Sequence, residues 1–247
     1  MTWQLAAFLV LAGALAAGFA WYERSRPTAR VLALVAALAA LGVLGRIAFA
    51  PVPNVKPTSD IVLLTGYVFG GPPGFAVGAI AALASNLFFA QGPWTPWQML
   101  AWGATGTLGA LLARLSPRLG RVPLALACGA TGLLYGAIVN FGAVATVGNE
   151  DLFNRYLAYQ AISLPWDLTH AAGNVVFCLL FGPALVRTLQ RFRSRVTFTW
   201  EPVLRSETAT NVGSALHHPV WLRKRWGNRA GRGYEPVGRD SREGDVV

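Results

Sequence analysis

Apolar residues fall in seven runs, at about 3 to 22, 31 to 50, 58 to 70, 74 to 90, 96 to 113, 123 to 147 and 164 to 186, and the short stretches between them hold most of the charges. Runs near 20 residues are what a helix needs to cross about 30 Å of hydrocarbon. The pattern therefore predicts an all-α, polytopic membrane protein. Thirty consecutive residues from Ile61 to Ala90 carry no charge, yet Gly70-Gly71-Pro72-Pro73-Gly74 splits them and Gln91-Gly92-Pro93-Trp94-Thr95-Pro96-Trp97-Gln98 closes them. A membrane segment broken by Gly and Pro must have its freed backbone groups satisfied by neighbouring helices or at a cavity.

Charge then orders the runs. Arg24, Arg26, Arg30, Arg114, Arg118, Arg121, Arg187, Arg191, Arg193 and Arg195 fall on one side if 58 to 90 crosses an even number of times, against Arg46, Lys56 and Arg155 on the other. The positive-inside rule makes the first side cytoplasmic. Two short crossings satisfy this parity, as does a re-entrant hairpin, and two crossings are expected. No Lys or Arg precedes the run from Leu5 to Ala20, so it reads as an uncleaved helix and not a signal peptide. The expected organisation is an extra helix and linker over 1–30, a membrane core over 31–190 and a basic tail over 191–247. Eleven of the 21 Lys and Arg residues lie after Thr188, so the net charge of +10 marks topology and tail, and no nucleic-acid partner is expected. In the tail, Trp221 and Trp226 beside Arg223, Lys224 and Arg225 could touch anionic lipid, though a solvated tail is the default; His217-His218 alone is too little for a metal site. Cys128 and Cys178 sit in apolar runs without paired spacing and read as inert thiols.

Two helix starts carry local signatures. Thr95-Pro96-Trp97-Gln98 reads as a capping box with Pro at the first helical position, and Ser163-Leu164-Pro165 with Asp167 reads as a weaker start for the last span.

Polar side chains gather at the ends of the spans away from the basic flanks. Asn54, Lys56, Gln91, Trp94, Trp97 and Gln98 come from loops or helix starts, while Asn86, Trp102, Asn140, Asp167, His170 and Asn174 lie deeper. Asp167, His170 and Asn174 share one helix face at i, i+3 and i+7. Ionisable residues within spans are costly and usually functional, and flat rings beside amides suit a planar or macrocyclic solute. An aromatic belt and a helix-locking Asp167–His170 pair are the competing structural readings. There is no HExxH, GxSxG, metal-binding carboxylate pair or nucleotide-binding glycine loop, so neither catalysis nor a metal or cofactor is expected. An intramembrane enzyme using Asp167 and His170, or an assembly protein acting through its tail, remain alternatives. Small residues at Ala33, Ala36, Ala37 and Ala40, and at Gly74, Gly78 and Ala82, offer close-packing faces for internal helices or a membrane partner.

Gly45-Arg46-Ile47, Pro53-Asn54-Val55-Lys56-Pro57-Thr58, Gly66-Tyr67-Val68-Phe69-Gly70 with Gly74, and Gln91 to Met99 together resemble the S components of energy-coupling factor (ECF) transporters. The Trp/Gln loop looks similar to cobalamin-type members. The resemblance covers about 31 to 190 and implies a six-helix binder of a vitamin or related micronutrient. Such a subunit faces outward in a prokaryotic plasma membrane, without an ATPase of its own, and docks through an AxxxA-type face, here Ala33 with Ala37 or Ala36 with Ala40, on a T subunit driven by two cytoplasmic ATPases. The helix at 3 to 22 and the long basic tail depart from the usual core.

Overall fold

A computed structural model of the chain describes residues 3–147 and 151–196. These fold into seven helices and no strands: α1 (Trp3–Arg24), α2 (Ala29–Ala48), α3 (Thr58–Phe69), α4 (Gly71–Phe89), α5 (Thr95–Leu115), α6 (Arg121–Val147) and α7 (Leu152–Val196). Five of them, α1, α2, α4, α6 and α7, are long and apolar enough to cross a membrane, whereas α3 is apolar but short. The protein is a multi-pass helical membrane protein. Asn149, Glu150 and the tail with His217, His218, Trp221 and Trp226 lie outside the described residues.

The shortest helix is the central one. α3 packs against α2, α4, α5, α6 and α7, and every residue from Thr58 to Val68 is buried. A helix apolar on all sides belongs inside. Its 12 residues span only about 18 Å, and the 49–57 connection that precedes it packs along α7. Phe49 meets Phe177 edge-on at 4.8 Å, Val55 lies against Gly173, and Asn54 Nδ2 donates to the Trp166 carbonyl at 2.6 Å.

The break in the uncharged stretch is a single residue. Gly70 has φ 96° and ψ 174°, a conformation reserved in practice for glycine, and α4 restarts at once with Pro72 and Pro73 in its first turn. α3 runs alongside α5 from Ser59 near Trp102 to Tyr67, whose hydroxyl donates to the Ser116 carbonyl at 2.9 Å. α4 returns in the opposite direction, its Gly74 and Gly78 against Gly106 and Trp102 of α5 and its Asn86 against Thr95. Gly66, Gly74 and Gly106 bring three helix backbones into direct contact, and a Cβ on Gly106 would collide with the Gly74 carbonyl. This face is thereby assigned to internal packing. Ala33, Ala36, Ala37 and Ala40 are instead exposed, on the side of α2 opposite its buried Val35, Leu38 and Ala39.

Two expected helix starts differ. α7 does not begin near residue 164 but at Leu152, and it continues for 45 residues to Val196, past the expected boundary at 190. Ser163 makes no cap because its hydroxyl is committed sideways, donating to Asp167 Oδ2 at 2.7 Å and accepting from Asn140 Nδ2 at 2.6 Å. Pro165 and Pro183 both lie inside the helix. Pro183 frees the Leu179 carbonyl, which takes the Arg121 guanidinium instead. At the other start, Thr95 forms no capping box: Gln98 Oε1 and Thr95 Oγ1 both accept from the Asn86 amide, at 2.7 and 2.8 Å. A tertiary partner has displaced the local one.

The ten flanking arginines gather at the end of the bundle that also holds the α3–α4 turn. Arg193 donates to the Val68 carbonyl there at 2.8 Å, and Arg118, Arg121 and Arg187 line a cavity of about 260 Å³ with Tyr67 and Gln190.

The glycine contact sets the first prediction. Gly106→Val should destabilise the protein by about 1–3 kcal/mol or more through overpacking, whereas Gly13→Val, whose Cβ meets nothing within 4 Å, should stay within about 0.5 kcal/mol. Thermal unfolding of both variants in detergent checks this, and equal melting temperatures would contradict the packing argument.

Candidate functional site

At the end of the bundle away from the arginines, α2, α3, α4, α5, α6 and α7 each contribute to one polar cluster. Its floor is Ser59 on α3. Ser59 Oγ accepts from Trp102 Nε1 at 3.0 Å and lies 2.9 Å from His170 Nε2. All three residues are fully buried. Above them the Tyr135 ring tilts over Trp102 at 4.8 Å and meets the edge of His170 at 5.3 Å. A buried hydroxyl, imidazole and indole normally satisfy all their polar atoms within the protein. Here, among the described residues, the Tyr135 hydroxyl and His170 Nδ1 have no hydrogen-bond partner of good geometry, the Gln98 side chain making only a loose polar contact with Tyr135.

The cations form the second layer. Arg46, in the last turn of α2, is only 8% exposed. Its Nη1 donates to Ser85 Oγ at 2.5 Å and Asn86 Oδ1 at 2.8 Å, and its guanidinium lies 4.6 Å from the Phe89 ring centre and 5.2 Å from that of Trp102. Both distances fall within cation–π range. Lys56 Nζ donates to Asn54 Oδ1 at 2.7 Å and sits 5.2 Å from the Tyr135 ring centre. Burial pushes the Lys56 ammonium down to about 8, Arg46 pushes it the same way, and Asp167 pulls it back. The Asp167 carboxyl rests against Gly136, where any side chain would displace it, and accepts from Ser163.

The sequence-derived candidates thus separate into groups. Asn54, Lys56, Asn86, Gln98, Trp102, Asp167 and His170 are brought together around Ser59, Tyr135 and Arg46. Asn140 adjoins them through Ser163 and the Gln160 amide. Trp97 packs elsewhere, in a cluster with Leu11 of α1 and Ala145 of α6, and its ring covers Gly142. Trp94 is exposed and lies over Gly92, while Gln91 closes the loop through Leu83 and Thr95. Asn174 is buried deeper, donating to the Cys128 carbonyl at 3.2 Å and to Thr131. Asp167 and His170 hold different partners, Ser163 and Ser59 respectively.

No protein-family model matches the chain, and no curated protein or solved structure is significantly similar to it. Among the described residues no group of three or more His, Cys, Asp or Glu is arranged to hold a metal ion.

Sequence reasoning missed Arg46, Ser59, Ser85 and Tyr135 as members of the cluster. Arg46 was legible in principle: Ile47, Ala48, Phe49 and Ala50 follow it, so it lies within the apolar run and not at its flank, and charges inside spans mark sites. Ser59 and Tyr135 carry no sequence signal, because a serine or tyrosine in a membrane helix commonly bonds its own backbone or neighbouring helices.

The electrostatic arrangement is open to titration. The Lys56 amine should lose its proton near pH 8 and not at the ordinary 10.5. Arg46→Gln should raise that midpoint and Asp167→Asn should lower it further. The pH dependence of reductive methylation at Lys56, read by peptide mass spectrometry, measures all three; a wild-type midpoint at the ordinary value would place the ammonium in water.

Proposed function

We propose that the chain is the substrate-capture subunit of an ECF-type importer. In this reading α2 to α7 form the six-helix S-component core and α1 is an addition to it. The N-terminus and the polar cluster face outside a prokaryotic plasma membrane, and the arginine-rich end and the C-terminus face the cytoplasm. The bound solute is a vitamin or related micronutrient, with cobalamin favoured by the Trp/Gln loop. The observation that carries the reading is the buried cluster with unspent hydrogen-bonding atoms at Tyr135 and His170. Unpaired buried polar groups cost roughly 1–3 kcal/mol each, and a solute that supplies their partners recovers that cost on binding. The exposed alanines of α2 add support, because small residues left uncovered on a membrane helix allow close approach of another helix. In this role the protein has no catalytic step: it binds on one face, and a T subunit with two ATPases drives release on the other.

Identification of a solute that co-purifies with the protein tests the reading directly. A stoichiometric vitamin is the expected result, and Trp102→Ala should weaken its binding roughly tenfold to a hundredfold, as loss of a buried aromatic anchor does. Ala37→Leu should leave binding intact and abolish capture by a co-expressed T subunit. Loss of solute binding by Ala37→Leu, or a protein that retains and binds no micronutrient, would contradict the proposal.

One observation favours a second reading. The 2.9 Å contact between Ser59 Oγ and His170 Nε2 has the spacing of a nucleophile and its base. Among the described residues no third group orients the imidazole, since His170 Nδ1 has no partner there. Labelling of Ser59 by a fluorophosphonate would favour a hydrolase over a binder.

A further inference from the structure

The polar cluster has more positive charge than it balances. Arg46 and Lys56 lie in each other's field, and among the described residues Asp167 is the carboxyl that acts on Lys56. The other buried acid on these helices, Asp60, faces the thiols of Cys128 and Cys178 and not the cations. Arg46 has five N–H donors and spends two on neutral oxygens of Ser85 and Asn86; its Nε and Nη2 meet no acceptor among the described residues. The residue is largely buried, its remaining N–H groups are not fully enclosed, and a mostly buried guanidinium is normally paired with a carboxylate. The Arg46 fork is held from the far side by Phe89, Trp102 and two hydrogen bonds, so its orientation does not depend on a ligand. The Tyr135 hydroxyl, also unpartnered, is a donor within the same cluster.

We propose that the cluster selects an organic anion, and that Arg46 and Lys56 bind its carboxylate or phosphate while Tyr135 and His170 take its remaining polar groups. This rests on the substrate-capture reading and narrows it. Arginine suits the task because its planar fork pairs with either group in a bidentate geometry. A neutral or cationic solute would leave the excess positive charge uncompensated.

Matched acid and neutral probes test the inference even before the natural solute is identified. Nicotinate with nicotinamide, pantothenate with pantothenol, and pyridoxal phosphate with pyridoxal are titrated against the full-length protein in neutral detergent, with binding read by thermal shift and calorimetry. The expected result is that in at least one pair the anionic member binds and its partner binds at least tenfold more weakly. Arg46→Gln and Lys56→Gln should each reduce binding of the anionic member by roughly tenfold to a hundredfold, while Leu44→Gln on the exposed side of α2 should not. Lys56→Gln serves as the second variant if Arg46→Gln fails to fold. Equal binding of both members in every pair that binds, or anion binding that survives both substitutions, overturns the inference and leaves substrate capture standing. A thermal shift produced by phosphatidylglycerol nanodiscs and by none of the soluble acids assigns the charge to a lipid headgroup and overturns the solute assignment. Binding of no probe overturns the inference, and if capture by a T subunit also fails it removes both readings.

Discussion

Direct contact between helix backbones at Gly66, Gly74 and Gly106 is the constraint on which the remaining architecture depends. In a membrane, helices gain little by hiding apolar side chains from equally apolar lipid, so close approach and van der Waals packing must hold them together. Glycine at these three positions lets α3, α4 and α5 touch without side chains between them. This contact encloses α3 on all sides and brings Ser59 beneath Trp102 of α5, so the floor of the polar cluster follows from packing several residues away.

The same enclosure explains how a helix of 12 residues can occupy the middle of the bundle. Its preceding connection lies against α7, where Asn54, Val55 and Phe49 each find a partner. Lys56 is delivered with that connection to the aromatic face of Tyr135. Arg46 comes to the cluster from α2, with its guanidinium beside the Trp102 ring. Aromatic faces and neutral amides soften the cost of holding both charges together, but they do not cancel it. That residual positive field is the property most directly connected to what the site can hold, and it links the packing of α3 to the chemistry proposed for the solute.

Helix starts illustrate competition between local and tertiary partners. Thr95 and Gln98 have the spacing of a capping box, and Ser163 precedes a proline as a cap would. In the folded chain the Asn86 amide takes both side chains at the first start, and Asn140 with Asp167 takes Ser163 at the second. A hydrogen bond from a buried amide left unmade inside a membrane costs more than a solvent-exposed cap gains, so the tertiary bond prevails.

Hydrophobic periodicity and charge alone determined that the chain is helical and multi-pass, that a break falls at the glycine and proline cluster, and that basic flanks share one end. Each of these depends on local composition and on the thickness of hydrocarbon, which a single segment already registers. Most deep polar candidates were legible for the same reason, since a polar residue inside an apolar run is conspicuous wherever it packs. Only the tertiary structure decided that Trp97 and Asn174 pack away from the cluster, and that Ser59 and Tyr135 complete it. Those assignments depend on which helix faces meet and at what depth, and that is settled by contacts between residues far apart in the chain, such as Ser59 with His170 and Arg46 with Asn86, which no local pattern encodes.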